Sequence, residues 1–395
     1  MPKLCPESVI AEQNKALTQS GDTEELKLWL ANQLYTAFME ARKNKRNTQN
    51  EQAFETHRDR NIALLVSQII NRTYKPSRGV AFIIKIPVIR EIFAATFRDR
   101  VIHHLLIQIC GDFWEKRLSS RSFSCREGKG TLAAIKQSQR DLSSVTLDNK
   151  QKAWIMKTDF QGYFMSLPRK YLYWCVEQGL RKQFPNGGVI FDLCLYLWHE
   201  VIFDDPTKNV RTRGKRSDWD RLPKSKSLFH AKKGCGIVIG NLTSQWLSNI
   251  ALDFFDRFIQ RELGCKYYGR YVDDAYYMAR SKTELLHIRK VVIARAKEIG
   301  LTIHPKKLYL QPASQGLPLL GVVIRPNRTV IGKRWRYNLY HIQHEIKLYG
   351  IDANIIVRLR SYQGLAKHYN YKKTFTKIFG NQILTDLECY KKLGL

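Results

Sequence analysis

Hydrophobic and polar positions divide the chain into a helical opening, a mixed middle and a basic, aromatic end. Apolar residues recur at helical spacing from Glu24 to Met39 and again from Ile62 to Ile70, with Lys43-Asn44-Lys45-Arg46 as a basic break between them. Residues 1 to about 75 therefore read as helices with one polar side. Phe82-Ile83-Ile84-Lys85-Ile86-Pro87 alternates as a strand and leads into Arg90-Glu91-Ile92-Phe93-Ala94-Ala95. The run from Ala153 to Phe160 is apolar and carries Asp159 near its end, which predicts a buried strand delivering one acid. Bulky β-formers on both sides of Val272-Asp273-Asp274 predict two short antiparallel strands with the acidic pair at their bend. Helices are expected from near Thr131, from about Ser244 and from Lys282 to Ile299, and an edge hairpin at Leu319-Leu320-Gly321-Val322-Val323-Ile324.

Charge sharpens this outline. Lys and Arg number 66 against 35 Asp and Glu, a net +31 that exceeds what solubility needs and points to a polyanionic partner. The segment 204–233 concentrates ten basic and four acidic residues around Trp219 and Leu222-Pro223, and reads as a surface excursion near nucleic acid. Residues 325–395 hold fourteen basic and four acidic residues with Trp335, Tyr337, Tyr340, Tyr362, Tyr369 and Tyr371 interleaved, as suits helices that track a duplex backbone. The eight cysteines, Cys5 to Cys389, contain no Cys-x-x-Cys pair, which argues against zinc knuckles and a disulfide framework. No signal segment and no apolar run of membrane-spanning length is seen, so a soluble intracellular protein is expected.

The acids carry the chemistry. Adjacent carboxylates repel, and Asp273-Asp274 at a bend is either a solvated turn or a site for a hard cation such as Mg²⁺. Asp159, 114 residues earlier, can reach them only through the fold. A strand-borne Asp plus a hairpin Asp pair is the donor set of two-metal phosphoryl transfer. Arginines after the 82–87 strand can clamp a triphosphate or form a salt-bridged face. Arg126, Gly128, Lys129 and Gly130 form a turn able to approach phosphates or a generic basic loop. His103-His104 point about 100° apart on a helix and read as structural.

The Asp159 strand and the Tyr271-Val272-Asp273-Asp274 box resemble the palm motifs of reverse transcriptases. Where most of that family carry Gln-Gly-x-x-x-Ser-Pro, this chain has Ile239-Gly240-Asn241-Leu242-Thr243-Ser244-Gln245. That departure, with the runs Leu222 to Phe229, Arg90 to Ala95 and Phe97 to His104, resembles the reverse transcriptases of diversity-generating retroelements over about residues 80–325. The resemblance implies an α+β right-hand polymerase with fingers, a palm of antiparallel sheet plus helices, and a helical thumb. Its divisions would be 1–75 as an N-terminal helical extension, 76–150 as fingers, 151–324 as palm with a basic insertion at about 204–233, and 325–395 as thumb.

The activity implied is RNA-directed DNA synthesis, giving error-prone, adenine-mutagenic cDNA from a template-repeat RNA for targeted protein diversification. Asp159, Asp273 and Asp274 would hold two Mg²⁺ ions, or Mn²⁺ in their place, with the Phe160 carbonyl as a further ligand. Lys85, Arg90, Phe164, Ile239, Gly240 and Gln245 would face the incoming dNTP, and Arg126, Lys129, Lys306, Lys307 and Gly321 the template and primer. Partners implied are template RNA, the cDNA heteroduplex and an oligomeric basic accessory variability protein, in the cytoplasm of a bacterial, phage or archaeal host. A retron-like or defence-associated reverse transcriptase shares the palm, although neither Asn-Ala-x-x-His nor Val-Thr-Gly is present. A non-catalytic RNA-binding protein shares the charge but needs none of the three acids.

Overall fold

The computed structural model describes residues 3–43, 48–85, 88–366, 368–369 and 374–380. Asn44, Lys45, Arg46, Ile86, Pro87, Tyr371 and Cys389, each part of an expectation above, lie outside them. The chain opens with α1 (Glu7–Ser20), α2 (Thr23–Ala41), α3 (Gln49–Thr56) and α4 (Arg58–Ile70). Gly21 ends α1 in the left-handed region at φ 59°, and Asp22 then caps α2 by accepting from the Glu24 N–H at 2.8 Å. These helices bury Ile10, Leu30, Leu34 and Phe38 in the same core as the rest of the molecule. These N-terminal helices thus pack as part of the central core.

Next come β1 (Gly79–Ile84), β2 (Arg90–Ala94), α5 (Phe97–Arg117), α6 (Thr131–Thr146), β3 (Trp154–Thr158), α7 (Tyr163–Ser166), α8 (Arg169–Gln183) and α9 (Val189–Phe203). They are followed by β4 (Val210–Arg213), α10 (Ser217–Asp220), α11 (Leu242–Arg257), β5 (Tyr267–Tyr271), β6 (Asp274–Ala279) and α12 (Lys282–Glu298). The remaining elements are β7 (Tyr309–Pro312), β8 (Leu317–Leu319), β9 (Val322–Arg325), β10 (Arg328–Ile331), α13 (Lys333–Tyr349) and α14 (Ala353–Ala366).

Three sheets organise these elements, in strand orders β2-β1-β4, β5-β6-β3-β7 and β10-β9-β8. The four-stranded sheet is antiparallel throughout and lies against α11 and α12, burying Met156, Tyr268 and Tyr277 on one face. Its other face buries Ile155, Tyr276 and Met278 with α6 and β8–β9. The excursion 204–233 is ordered: β4 runs parallel to β1, with Phe82 paired to Arg213. Its attachment is a buried carboxylate. Glu91 accepts from Trp219 Nε1 at 2.8 Å, Ser227 Oγ at 2.8 Å and the Leu228 N–H at 2.5 Å. Near the C-terminal end, α13, α14 and residues 374–380 enclose a small core of Leu339, Ile342, Leu359 and Phe375. Among the described residues, no helix is long and apolar enough to cross a membrane, and the described cysteines are free thiols.

Candidate active site

Two neighbouring strands bring the acids together. Thr158 pairs with Ala275, so the next position on each strand sets Asp159 beside Asp274 at one end of the sheet, with Asp273 at the adjoining bend. Past β3 the chain continues as a bridge from Phe160 to Ile303, in which the His304 N–H donates to the Asp159 carbonyl at 2.8 Å and the Gln161 N–H to Thr302 at 2.8 Å. Antiparallel alternation then turns the Phe160 carbonyl the other way, toward the hairpin.

The bend is held in a demanding shape. Val272 sits at φ 59°, a left-handed conformation that β-branched residues rarely adopt. Its N–H donates to Ser124 Oγ at 3.2 Å and its carbonyl accepts from Arg270 Nη1 at 2.7 Å. Arg270 is itself buried in an ion pair with Asp256 of α11, at 2.8 Å through Nε and 2.6 Å through Nη2. Asn249 completes the support, accepting from the hydroxyls of Ser122 at 3.1 Å and Ser124 at 3.3 Å. Nothing in the pattern of apolar residues announced Arg270, because an arginine between Tyr268 and Tyr271 reads as a solvent-facing strand position.

Lysines supply the positive charge between the acids. Lys307 Nζ lies 2.9 Å from each oxygen of Asp159, and Lys157 Nζ lies 2.7 Å from Asp274 Oδ2. Asp274 Oδ1 is buried with no hydrogen-bond partner. The Asp273 carboxyl is pushed up to about 7, first by burial and then by the negative charge of Asp159, with Asp274 adding less. Asp274 is also raised, by burial foremost, against the pull of Lys157. Among the described residues, no group of three or more His, Cys, Asp or Glu is gathered as a ready-made metal cluster. The acids meet at one sheet end with ammonium groups among them, and the donor set is all oxygen, as a hard cation prefers. Lys157 was missed at the sequence level, where the run from Ala153 to Phe160 read simply as apolar.

The other expected site residues divide. Arg90 is exposed at the start of β2, and Lys85, at the same turn end of the β1–β2 hairpin, pairs with Asp218 at 2.7 Å. Phe164 and Ile239 border one small apolar cluster with Phe93, Met165 and Leu228. The Ile239 carbonyl accepts from the Phe93 N–H at 3.1 Å, which lays this segment along the open edge of β2. Gly240, at φ 124°, touches that edge so closely that a Cβ would stand 3.0 Å from Ile92 Cγ2. Gln245 is exposed in the first turn of α11. Lys306 is exposed beside Lys307, and Gly321 lies against Trp335, whose Nε1 would be 2.6 Å from a Cβ.

Two residues expected along the template path are engaged within the protein. Arg126 is buried, 7% exposed, and commits its guanidinium to Glu115 at 2.8 Å and to the carbonyls of Ser119, Ser122 and Glu115. Those bonds tie the 119–126 loop to α5 and occupy four of the five guanidinium N–H groups. Lys307, expected along the template and primer, pairs with Asp159 at 2.9 Å. Lys129 remains near the surface, donating to the Ser120 carbonyl at 3.0 Å. His103 and His104 are held neutral, each pushed down to about 4 by burial, in keeping with a structural role.

Comparison with protein families matches residues 88–324 to the family described as "Reverse transcriptase (RNA-dependent DNA polymerase)". No curated protein matches the chain. Among solved structures, apo telomerase from Candida tropicalis truncated from its C-terminal domain is 12% identical, covering 65% of this chain and 55% of that one, with a TM-score of 0.47. Telomerase from Candida albicans in complex with a fragment of telomeric RNA is 11% identical, covering 78% and 56%, with a TM-score of 0.44. The chain spans little more than half the length of these structures.

Proposed function

The chain belongs to the reverse transcriptase (RNA-dependent DNA polymerase) family, and from that membership we propose that it extends a DNA strand on an RNA template at Asp159, Asp273 and Asp274. Its fold is the mixed α+β architecture of reverse-transcriptase-like polymerases. The observation that carries the proposal is the meeting of these three acids at the end of one antiparallel sheet inside the matched segment. The orphaned Asp274 Oδ1 and the raised Asp273 carboxyl fit a divalent cation, because added positive charge answers both. Bound Mg²⁺, or Mn²⁺, supplies an activated primer hydroxyl and a neutralised pyrophosphate.

The chain's own groups position the rest. Lys307 holds Asp159 through a flexible stem and can move from it as phosphates arrive, while Lys157 keeps Asp274 oriented from within the sheet. Arg90 offers a permanently charged fork to the triphosphate from an exposed strand end. Phe164 and Ile239 form an apolar floor, and Gly240 allows main chain to lie close against β2. In this reading residues 76–150 act as fingers, 151–324 as palm and 325–395 as thumb, with Lys129, Lys306 and Gly321 along the primer and template.

The finer proposal is adenine-mutagenic copying of a template-repeat RNA with a basic accessory protein, as in diversity-generating retroelements. Its support is the Ile239-Gly240-Asn241-Leu242-Thr243-Ser244-Gln245 motif and the placement of Ile239 and Phe164 against the same small apolar cluster. An apolar side chain there removes a hydrogen-bonding handle on the nucleotide, worth about 0.5–1.5 kcal/mol, and leaves shape as the main filter. Primer extension on poly(rA) with Mg²⁺ tests the polymerase, and single-nucleotide incorporation opposite each template base tests the finer reading. Ile239→Gln is expected to lower misincorporation opposite adenine by about threefold to tenfold. Equal error opposite all four bases in the wild type, or no change in the variant, would end the diversifying reading and leave the polymerase intact.

A further inference from the structure

The excursion 204–233 leaves and rejoins the body at one narrow neck. There residues 164–169 and 234–237 run antiparallel as a short ladder. The Ile237 N–H donates to the Phe164 carbonyl at 2.9 Å, the Gly236 N–H to the Leu167 carbonyl at 2.8 Å and the Arg169 N–H to the Gly234 carbonyl at 2.9 Å. Arg169, the first residue of α8, is buried beside this ladder. Its Nε donates to the Gly236 carbonyl at 3.0 Å and its Nη1 to the Phe203 carbonyl at 3.3 Å, so one guanidinium spans both ends of the neck. Its Nη2 lies 3.8 Å from Asp205, an acid at the start of the excursion. Gly236, at φ 95°, is packed so closely that a Cβ would stand 2.6 Å from Leu228 Cδ1. Leu228 is in turn fixed by Glu91 of β2.

We propose that Arg169 is a positioning residue for nucleotide selection, holding the Phe164–Ile239 floor in register through the neck of the excursion. The inference rests on the polymerase reading above and on the floor assigned there. The segment 236–240 is pinned at both ends, Ile239 to β2 through the Phe93 N–H and Gly236 to the Arg169 guanidinium. Phe164 belongs to the opposite rail of the ladder, so the same contacts set the spacing of the two floor residues. A guanidinium suits the task because two carbonyls converging on one point repel each other unless a fork of donors meets both. Without it the Gly236 carbonyl loses a charged donor and the rails are free to slip. A floor displaced by a fraction of an ångström costs the correct pair, which uses the whole shape of the site, more than a mispair that already fits poorly. Arg169 therefore acts through the main chain.

The test measures insertion of the correct and of a mispaired dNTP opposite template cytosine, which keeps the outcome separate from the adenine reading. The ratio of the two kcat/KM values does not depend on how much of a preparation is folded, so partial unfolding cannot imitate the effect. Arg169→Met is expected to raise the KM for the correct nucleotide and to lower the ratio by about tenfold, with kcat nearly unchanged. Arg169→Lys keeps the charge without the fork and should recover part of the loss. Gly236→Ala, which presses on Leu228 from the other side of the neck, should lower the ratio in the same direction. Arg181→Ala, exposed on the same helix and paired with Glu177, should leave KM and ratio as in wild type.

A ratio unchanged in Arg169→Met, or in Arg169→Lys and Gly236→Ala where the Met variant does not fold, would overturn this inference and leave the polymerase reading intact. So would a fall in kcat alone with KM and ratio as in wild type, which is the mark of lost active protein. Failure of wild type to extend the primer at all would overturn the polymerase reading, and with it the role given to Arg169.

Discussion

Replacing Asp273 by Asn should separate stability from synthesis, with opposite signs. In the cation-free protein the Asp273 carboxyl stands at about 7 instead of 3.8, chiefly because it is shielded from water and faces Asp159. Between those two values the unfolded chain binds fewer protons than the folded one, so stability falls as pH rises through that window and stays low above about 7. The interval corresponds to about 4 kcal/mol at ~1.4 kcal/mol per pH unit, and solvent access to the half-buried side chain reduces it to about 2 kcal/mol. Asn carries no charge and escapes the penalty. With chelator at about pH 8, Asp273→Asn should therefore melt a few degrees above wild type, and near pH 4.5 the two should nearly converge. Added Mg²⁺ should raise wild type and leave the variant almost unmoved, while DNA synthesis by the variant falls by several orders of magnitude. A variant less stable than wild type at pH 8 in chelator, or a gain of the same size in acid, would refute the electrostatic reasoning.

Other consequences are quicker to check. Arg126→Ala should cost about 3 kcal/mol in a urea titration by leaving the Glu115 carboxylate without its partner, with template affinity per folded molecule unchanged. Gly179→Ala on α8 should cost about 1–3 kcal/mol in the same titration, because a Cβ there would stand 2.1 Å from Trp114 Cζ2. A neutral result for Gly179→Ala would mean that α5 and α8 separate more readily than their packing suggests.

Much of the site was legible because it is written in strand periodicity. Asp159 ends an apolar run, and Asp273 and Asp274 interrupt a tyrosine-rich one, so both placements follow from local pattern alone. What could not be read was each cation's partner. Arg126 and Lys129 sit three residues apart in the same turn, yet one points inward to Glu115 and the other toward the surface. That choice depends on α5, which carries Glu115 and has no local signature in the turn. Glu91 is similar: beside Arg90 it suggested a salt-bridged surface, whereas the fold uses it to receive Trp219 and Ser227 from well over a hundred residues away. The N-terminal helices showed their amphipathic faces plainly, but only assembly reveals that Leu34 and Phe38 complete the central core.

The left-handed bend at Val272 bears on the order of events in folding. A β-branched residue in that region is disfavoured by roughly 1–3 kcal/mol when judged by its neighbours in sequence. The Ser124 hydroxyl that helps to hold it belongs to a segment 148 residues upstream. Arg270 can brace it only after Asp256 of α11 has been buried alongside. A hairpin formed early would thus favour another bend, with its acids aimed elsewhere. The acids take their observed directions when the distant segments close around them, so a half-folded chain would lack the geometry on which the proposed synthesis depends.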